Sequence, residues 1–545
     1  MDLRRNELKF GMVSSVDGGK IVVKAERLSV GSHDSALHAE IGAFVNCGSF
    51  HGDTICTVTR VFIEEVETRD GGHRENRIVE LAIVGSVNEQ EKFTRGVSKY
   101  PPITCDVYFL NGDQVNRLLG IHEESNADAR YFKVGRRSMS GAGDAFLELD
   151  RLLGRHVAIM GTTGSGKSST VARIAQSILR DYPQPRLIFF DIHNEYSSAF
   201  SGEWEDKTNV VPWEKFSLPY WFLDFEEFIG IYYPEAGGTQ KMYIKEFIEA
   251  LKKDNVTDET IQQSISVDSP VYFDMDSLIG RIKAKKDSEK SESKQDPYNK
   301  ILLKLQALNE DNRFRFLKRD SSSQLSLTDY FRSLLGLNAD DNTYVSVLDL
   351  SGLPAEIRTI CVGVLTRLCF DYRYWDLDPE SLPIALVLEE AHTYIPDDSS
   401  SVYSLCLERV EKVAKEGRKY GLSLMVVSQR PSNVSSTVLS QCGTFITLRL
   451  TNDLDQNKIR RLLPDMLGEQ ADSLSSLRDG EALVTGDAVV LPGKIRFDEP
   501  APRPRSNDVR FHKSWNDGPP NGYSIERLIR SWTTRNKSNV QRDDD

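Results

Sequence analysis

His156-Val157-Ala158-Ile159-Met160-Gly161-Thr162-Thr163-Gly164-Ser165-Gly166-Lys167-Ser168-Ser169 runs from a short apolar segment into a glycine-rich loop, and Gly161 to Ser168 spells G-x-x-x-x-G-K-S. A triphosphate must be gripped by several backbone N–H groups at once, so the loop that holds it must curl tightly. Gly161, Gly164 and Gly166 carry no Cβ to oppose that curl. Lys167 is then placed to reach the β- and γ-phosphates, and the Ser168 hydroxyl to bind Mg²⁺. Val157 to Met160 reads as a buried parallel strand. Ser169 to Leu179 carries helical periodicity, which aims a helix N-terminus at the phosphates. Gly161, Thr162, Thr163, Gly164, Ser165, Gly166, Lys167, Ser168 and Ser169 are the expected nucleotide-binding set.

Three strand ends downstream fit this loop. Arg186-Leu187-Ile188-Phe189-Phe190-Asp191 is an apolar strand closing on an acid. Open α/β sheets place ligands beyond the C-terminal ends of their strands. Asp191 and Glu195, in the Asp191-to-Tyr196 box, are therefore candidates for a γ-phosphate and water network, and Asp191 serves equally as a loop cap. Pro383 to His392 runs from an apolar strand into Glu389 and Glu390. Below a phosphate loop this is the Walker B form. By position Glu389 is assigned to the metal with Ser168, and Glu390 to the attacking water. Leu422 to Pro431 is a further core strand, and Gln429 at its end is placed to sense the γ-phosphate.

The fold class read from these signals is α/β: a P-loop core with a parallel central sheet, an N-terminal all-β barrel and a helical insertion. The 545 residues suit two or three domains. Short strands at close spacing, with a hairpin signal at Asp17-Gly18-Gly19, make residues 1–120 a barrel. Its histidines (His33, His38, His51 and His73) lack metal-ligand spacing. Residues 121–150 read as a linker, 151–201 as the first part of the ATPase core and 202–342 as the helical insertion. Within the insertion, Lys283 to Lys294 is a charged, serine-rich tract expected to be a solvated loop. Residues 343–500 complete the core, and 501–545 form an arm with a short helix near Ser524 to Trp532.

Composition narrows the class. A net charge of −13 argues against a surface basic all over, though not against a locally basic channel for nucleic acid. Seven cysteines without a C-x-x-C pair suggest neither a disulfide framework nor a zinc site, but buried thiols in a reducing cytoplasm. No apolar run approaches the length of a membrane span, and the N-terminus lacks a signal-peptide core.

Taken together, the phosphate loop, the Asp191-to-Tyr196 box, Asp349-Leu350-Ser351, Glu389-Glu390-Ala391-His392, Glu416-Gly417-Arg418-Lys419-Tyr420-Gly421 and Ser428-Gln429-Arg430-Pro431 resemble the HerA family of the HerA/FtsK translocases. Arg95-Gly96-Val97-Ser98-Lys99-Tyr100-Pro101-Pro102 looks like part of that family's HAS barrel. The resemblance implies a RecA-like core and hexameric rings that pump double-stranded DNA with ATP and Mg²⁺. It also implies a partner docking on the barrel: a nuclease in DNA-end processing, or a Sir2-like or other effector in anti-phage defence. By motif, Arg418 looks like an arginine finger offered to a neighbour's ATP, and Arg155 like a second phosphate-sensing arginine. Independently, phosphoryl transfer gains from an arginine supplied in trans, while a cation at a helix end also suits the helix dipole.

Two other classes compete. A GTPase or ABC-type ATPase is disfavoured, because no N-K-x-D base-reading motif is present and Asp349-Leu350-Ser351-Gly352-Leu353 is not the ABC signature. A ring-shaped scaffold that assembles an effector enzyme, with ATP as regulator, is compatible with the barrel and the acidic exterior.

Overall fold

The computed structural model describes residues 9–25, 40–49, 52–67, 73–88, 93–118, 130–138, 143–319, 324–338, 342–397, 404–463, 471–489, 491–505, 510–520 and 522–534. Seven strands come first: β1 (Lys9–Asp17), β2 (Lys20–Ala25), β3 (Phe44–Ser49), β4 (Gly52–Glu67), β5 (His73–Val87), β6 (Phe93–Arg95) and β7 (Asp106–Phe109). They pair in the order β2-β1-β7-β3-β4-β5-β6, and a further β2–β5 pairing closes the ring into a barrel, with β6 attached to β5. The expected hairpin is present, with Asp17 opposite Lys20 across Gly18-Gly19. Alternation along the strands sends Phe10, Val13, Ile21, Val23, Val58 and Leu81 into one core. Cys47 and Cys56 are buried in it as free thiols. His73 is exposed; His33, His38 and His51 lie outside the described residues.

The remaining strands are β8 (Tyr131–Arg137), β9 (Asp144–Glu148), β10 (Val157–Met160), β11 (Leu187–Asp191), β12 (Thr208–Val211), β13 (Val345–Asp349), β14 (Ile384–Leu388), β15 (Leu422–Ser428), β16 (Thr444–Thr447), β17 (Glu481–Gly486) and β18 (Gly493–Phe497). The chain divides into two units: Met1–Pro185, Asp378–Asp398 and Glu411–Pro504 form one, and Arg186–Leu377, Ser399–Val410 and Arg505–Asp545 the other.

In the first unit β14, β15, β10 and β16 lie side by side and parallel. Every residue of these four strands is buried, as covering on both faces requires. Beyond β16 the sheet turns antiparallel through β17, β18, β8 and β9. Residues 121–150, expected to be a linker, thus supply two sheet strands. The polar run Arg136-Arg137-Ser138 hid the first of them, because Arg137 pairs with Ile495 of β18 and its guanidinium is covered by the Phe44 ring. Barrel and sheet also share a small core, in which Leu491 packs with Phe44 and Ile55.

In the second unit β11 and β12 flank β13 in parallel. The region expected as a helical insertion holds β12 and the helices Phe225–Tyr232, Gly238–Asp254, Glu259–Ser264, Met275–Ser288, Glu292–Glu310 and Leu327–Leu335. The tract Lys283 to Lys294, expected to be a loop, is mostly helical, with a break only around Glu289 to Ser291. Leu278 and Ile282 before the break, and Tyr298, Ile301 and Leu305 after it, supply the buried stripes. The charges occupy the opposite faces, so local composition concealed the periodicity. Buried Glu227 is held by Arg367, whose nitrogens also reach Asp371. The arm carries two short helices, Phe511–Asp517 and Ile525–Thr534.

Candidate nucleotide site

The loop after β10 has the curl its glycines allow: φ is +75° at Gly164 and +98° at Gly166. Thr162 N–H donates to the Arg449 carbonyl at 2.9 Å, and Ser165 N–H to the Thr162 carbonyl at 3.2 Å. Gly166 is the N-cap of the helix Lys167–Asp181, so the first turn's amides open into the loop. Lys167 and Ser168 are buried at its base, whereas Thr163 and Gly164 are exposed at its tip. A cradle of backbone N–H groups with one buried ammonium fits a phosphate tail.

Facing it are the ends of the neighbouring strands. Glu389 and Glu390 follow β14 directly, and both are buried. Glu390 has φ of +47°, the left-handed region a glutamate seldom adopts. That twist leaves its carboxylate 3.9 Å from Lys167 Nζ and 3.2 Å from His392 Nδ1. The Gln429 backbone N–H donates to the same carboxylate at 3.4 Å. Burial pushes the Glu390 carboxyl up, but the His392 hydrogen bond and the Lys167 charge outweigh it, so its pKa lies below the ordinary glutamate range. Gln429 joins the loop from the other side, its Oε1 accepting from Thr163 Oγ1 at 2.6 Å. Lys167, Glu390, Gln429 and Thr163 are therefore one connected polar group, with Glu389 adjacent. A buried serine hydroxyl and a carboxylate are hard oxygen donors of the kind Mg²⁺ takes beside phosphate oxygens.

Asp191 ends β11 in the second unit, and its carboxylate is occupied by backbone: Oδ1 accepts from His193 and Glu195 at 3.2 Å each, and Oδ2 from Tyr196 at 2.9 Å. Burial raises its pKa to about 6 against the pull of those three N–H groups, and the nearby Asp349 adds to the rise. The box is a tight turn wound on Asp191, with Glu195 half-buried in it. Arg155 and Arg418 occupy the opposite edge of the first unit from the phosphate loop. Arg155 precedes β10 while Gly161 follows it, and at about 3.3 Å per residue their backbones stand about 20 Å apart. Arg418 lies in the short turn Gly417–Tyr420 that enters the N-terminal end of β15, parallel to β10. Its side chain is exposed and makes no ion pair among the described residues, whereas Arg155 pairs with Asp487 at 2.9 Å.

Residues 132–369 match the family described as the helicase HerA central domain, and residues 322–492 the helicase HerA-like C-terminal domain. The chain belongs to the HerA family of ATPases. A probable helicase of Methanocaldococcus jannaschii is 22% identical over 390 residues, covering 71% of this chain and 70% of that protein. The DNA double-strand break repair helicase HerA of Sulfolobus acidocaldarius is 27% identical over 370 residues, covering 67% and 68%. Among solved structures, VirB4 of Thermoanaerobacter pseudethanolicus aligns with a TM-score of 0.47 at 16% identity, covering 67% of this chain and 96% of that one.

Two histidines of this HerA-type core escaped the sequence reading. His392 closes the Glu389-Glu390-Ala391-His392 box, and that position was the available signal. It is tied to Glu390 and, through Nδ1 at 3.1 Å, to Ser428 Oγ. His156 has no such signal. Its Nδ1 accepts from Leu424 N–H at 3.0 Å, so its Nε2 carries the hydrogen and donates to the Ala414 carbonyl, also at 3.0 Å. The ring thereby fixes the start of β15, and the helix leading to Arg418, against the root of Arg155.

Proposed function

We propose that this chain hydrolyses ATP with Mg²⁺ in a ring of identical subunits, a hexamer by the family resemblance, and uses the energy to move double-stranded DNA. The observation that carries this reading is the split placement of the charges hydrolysis needs. Lys167, Glu390 and Gln429 gather at one edge of the parallel strands, while Arg155 and Arg418 sit at the other, about 20 Å away. Neither arginine reaches the nucleotide of its own chain, which supports assigning each to the nucleotide of a neighbour. Lys167 and the loop amides hold the phosphates, with Ser168 and Glu389 on the metal, which neutralises charge on the phosphate oxygens. Glu390, kept ionised beside Lys167, takes the proton of the attacking water, and Gln429 orients it. Arg418 from the next subunit stabilises the charge that develops on the transferring group.

The barrel is assigned to an effector, a nuclease in DNA-end processing. Met12, Ile41, Val61, Ile63, Tyr100 and Ile103 expose apolar surface there, as a docking face would.

Mixed rings test the arrangement. Lys167→Ala removes the phosphate grip but leaves both arginines; Arg418→Ala leaves the grip but removes the finger. Each alone falls by about 10³–10⁵ in DNA-stimulated ATP turnover. Co-assembled, they regain activity that neither has, because Lys167→Ala subunits lend Arg418 to intact pockets. No gain on mixing, with mixed rings confirmed by native mass spectrometry, overturns the shared pocket.

A further inference from the structure

The arginine edge is tied to the barrel through one carboxylate. Arg95 closes β6, in the motif that marks the barrel. Its Nη2 donates to the Gly486 carbonyl at 2.6 Å and also meets the Val489 carbonyl, while its Nη1 lies 3.2 Å from Asp487 Oδ1. The other oxygen of Asp487, Oδ2, is 2.9 Å from Arg155 Nη1. One acid, in the turn between β17 and β18, thus holds a guanidinium of the barrel on one side and the edge arginine on the other.

The backbone around this pair is fixed. Asp487 N–H donates to the Gly443 carbonyl at 2.8 Å, and Gly443 N–H to the Arg155 carbonyl at 2.6 Å. A Cβ at position 443 would stand 2.7 Å from Arg155 Cβ, so glycine is what lets the arginine stem lie there. The Arg155 side chain, 56% exposed, has room to swing. Exposed ion pairs are weak, so a triphosphate competes readily for this guanidinium. How readily depends on the second partner: with Arg95 in place the Asp487 charge is shared, and without it Arg155 faces that charge alone. Glu148 and Arg151, the other charged groups acting on Arg95, are paired with each other at 3.0 Å.

We propose that Asp487 restrains Arg155, holding its guanidinium back from the adjacent pocket, and that the barrel sets the strength of this hold through Arg95. The proposal rests on the reading of Arg155 as a cation supplied to a neighbour's nucleotide. It gives an effector seated on the barrel a path to the ATPase: displacing β6 withdraws Arg95, Asp487 retains Arg155, and the adjacent pocket loses a cation.

The test is a double-mutant cycle on full-length rings, read as kcat and KM for ATP with DNA saturating. Arg95→Gln is expected to lower kcat by up to about fivefold, the scale of one exposed ion pair. Asp487→Asn does not lower it, and Arg95→Gln/Asp487→Asn returns to the Asp487→Asn value. Arg95→Lys, which keeps the charge but loses the two-carbonyl fork, stays near wild type; a purely structural anchor would suffer equally from Lys and Gln. The proposal is overturned if the Arg95→Gln loss persists in the Asp487→Asn background, if Asp487→Asn itself lowers kcat, or if Lys and Gln behave alike. Arg155→Ala separates the two levels. If it leaves kcat unchanged, the reading of Arg155 fails and this proposal with it; if it lowers kcat while the cycle shows no coupling, only the Asp487 link fails.

Discussion

Replacing Glu390 separates chemistry from folding, because its side chain and its backbone are each under an identifiable load. The backbone stands at φ +47°, ψ +47°, a conformation that costs a residue with a Cβ about 1–2 kcal/mol. The carboxylate is buried between Lys167 at 3.9 Å and His392 at 3.2 Å. Glu390→Gln keeps the strained backbone and the side-chain shape but removes the base. Glu390→Gly removes the base and relaxes the backbone. Both should lower kcat by about 10²–10⁴, the usual contribution of a positioned general base. The two should differ in stability, with Glu390→Gly above Glu390→Gln by about 1 kcal/mol from relief of the left-handed strain. ATP binding should survive in Glu390→Gln, since the loop amides and Lys167 are untouched. Acid supplies a second check. The folded-state pKa of Glu390 is depressed, so its contribution is present above the ordinary carboxylate range and is lost as pH falls through the folded value. The wild-type margin over Glu390→Gln should therefore shrink in acid. Single-turnover hydrolysis, isothermal titration with ATP and denaturant unfolding make the three measurements. Hydrolysis by Glu390→Gln within about tenfold of wild type would refute the assignment of the base.

Asp191 behaves oppositely with pH. Its pKa is raised to about 6, so its contribution to stability is full below the unfolded value near 3.9 and is lost as pH rises through about 6. The margin of wild type over Asp191→Asn in denaturant unfolding should be larger at pH 5 than at pH 8, by about 1 kcal/mol; a margin that grows with pH contradicts the burial account. His156→Phe should destabilise the first unit by about 2–4 kcal/mol in the same assay, because it strands a buried N–H and a buried carbonyl. His156→Asn should cost less, as asparagine both tolerates the φ of +53° and keeps a donor and an acceptor.

What the sequence disclosed was local in the chain. The phosphate loop announces itself because curl, lysine and hydroxyl must be contiguous. The Walker strand does so because an apolar run ending in acids is a short pattern, and Glu390 and Gln429 do meet the loop. The strand missed at residues 131–137 was masked by Arg137, whose partners, Ile495 and Phe44, lie far away in sequence. The helical tract from Lys283 was masked because its few apolar positions are diluted by solvent-facing charge. Asp191 was legible as an acid at a strand end, but its three backbone partners form only once the following turn is wound.

The same distinction explains why Asp487 could not be found by pattern. Nothing around it in the chain is periodic or motif-like, and its meaning comes from two arginines, one 392 and one 332 residues away. A motor that passes a signal between its barrel and its ATPase must use groups of this kind, since an element serving both ends belongs to neither motif. An exposed ion pair suits that duty because it is weak: a buried one would cost several kcal/mol to break and would hold Arg155 in one place. On the proposed link, a neighbour's nucleotide draws Arg155 from Asp487 and a protein docked on the barrel draws off Arg95, so the two act on one shared carboxylate and each shifts the other's binding by the same free energy.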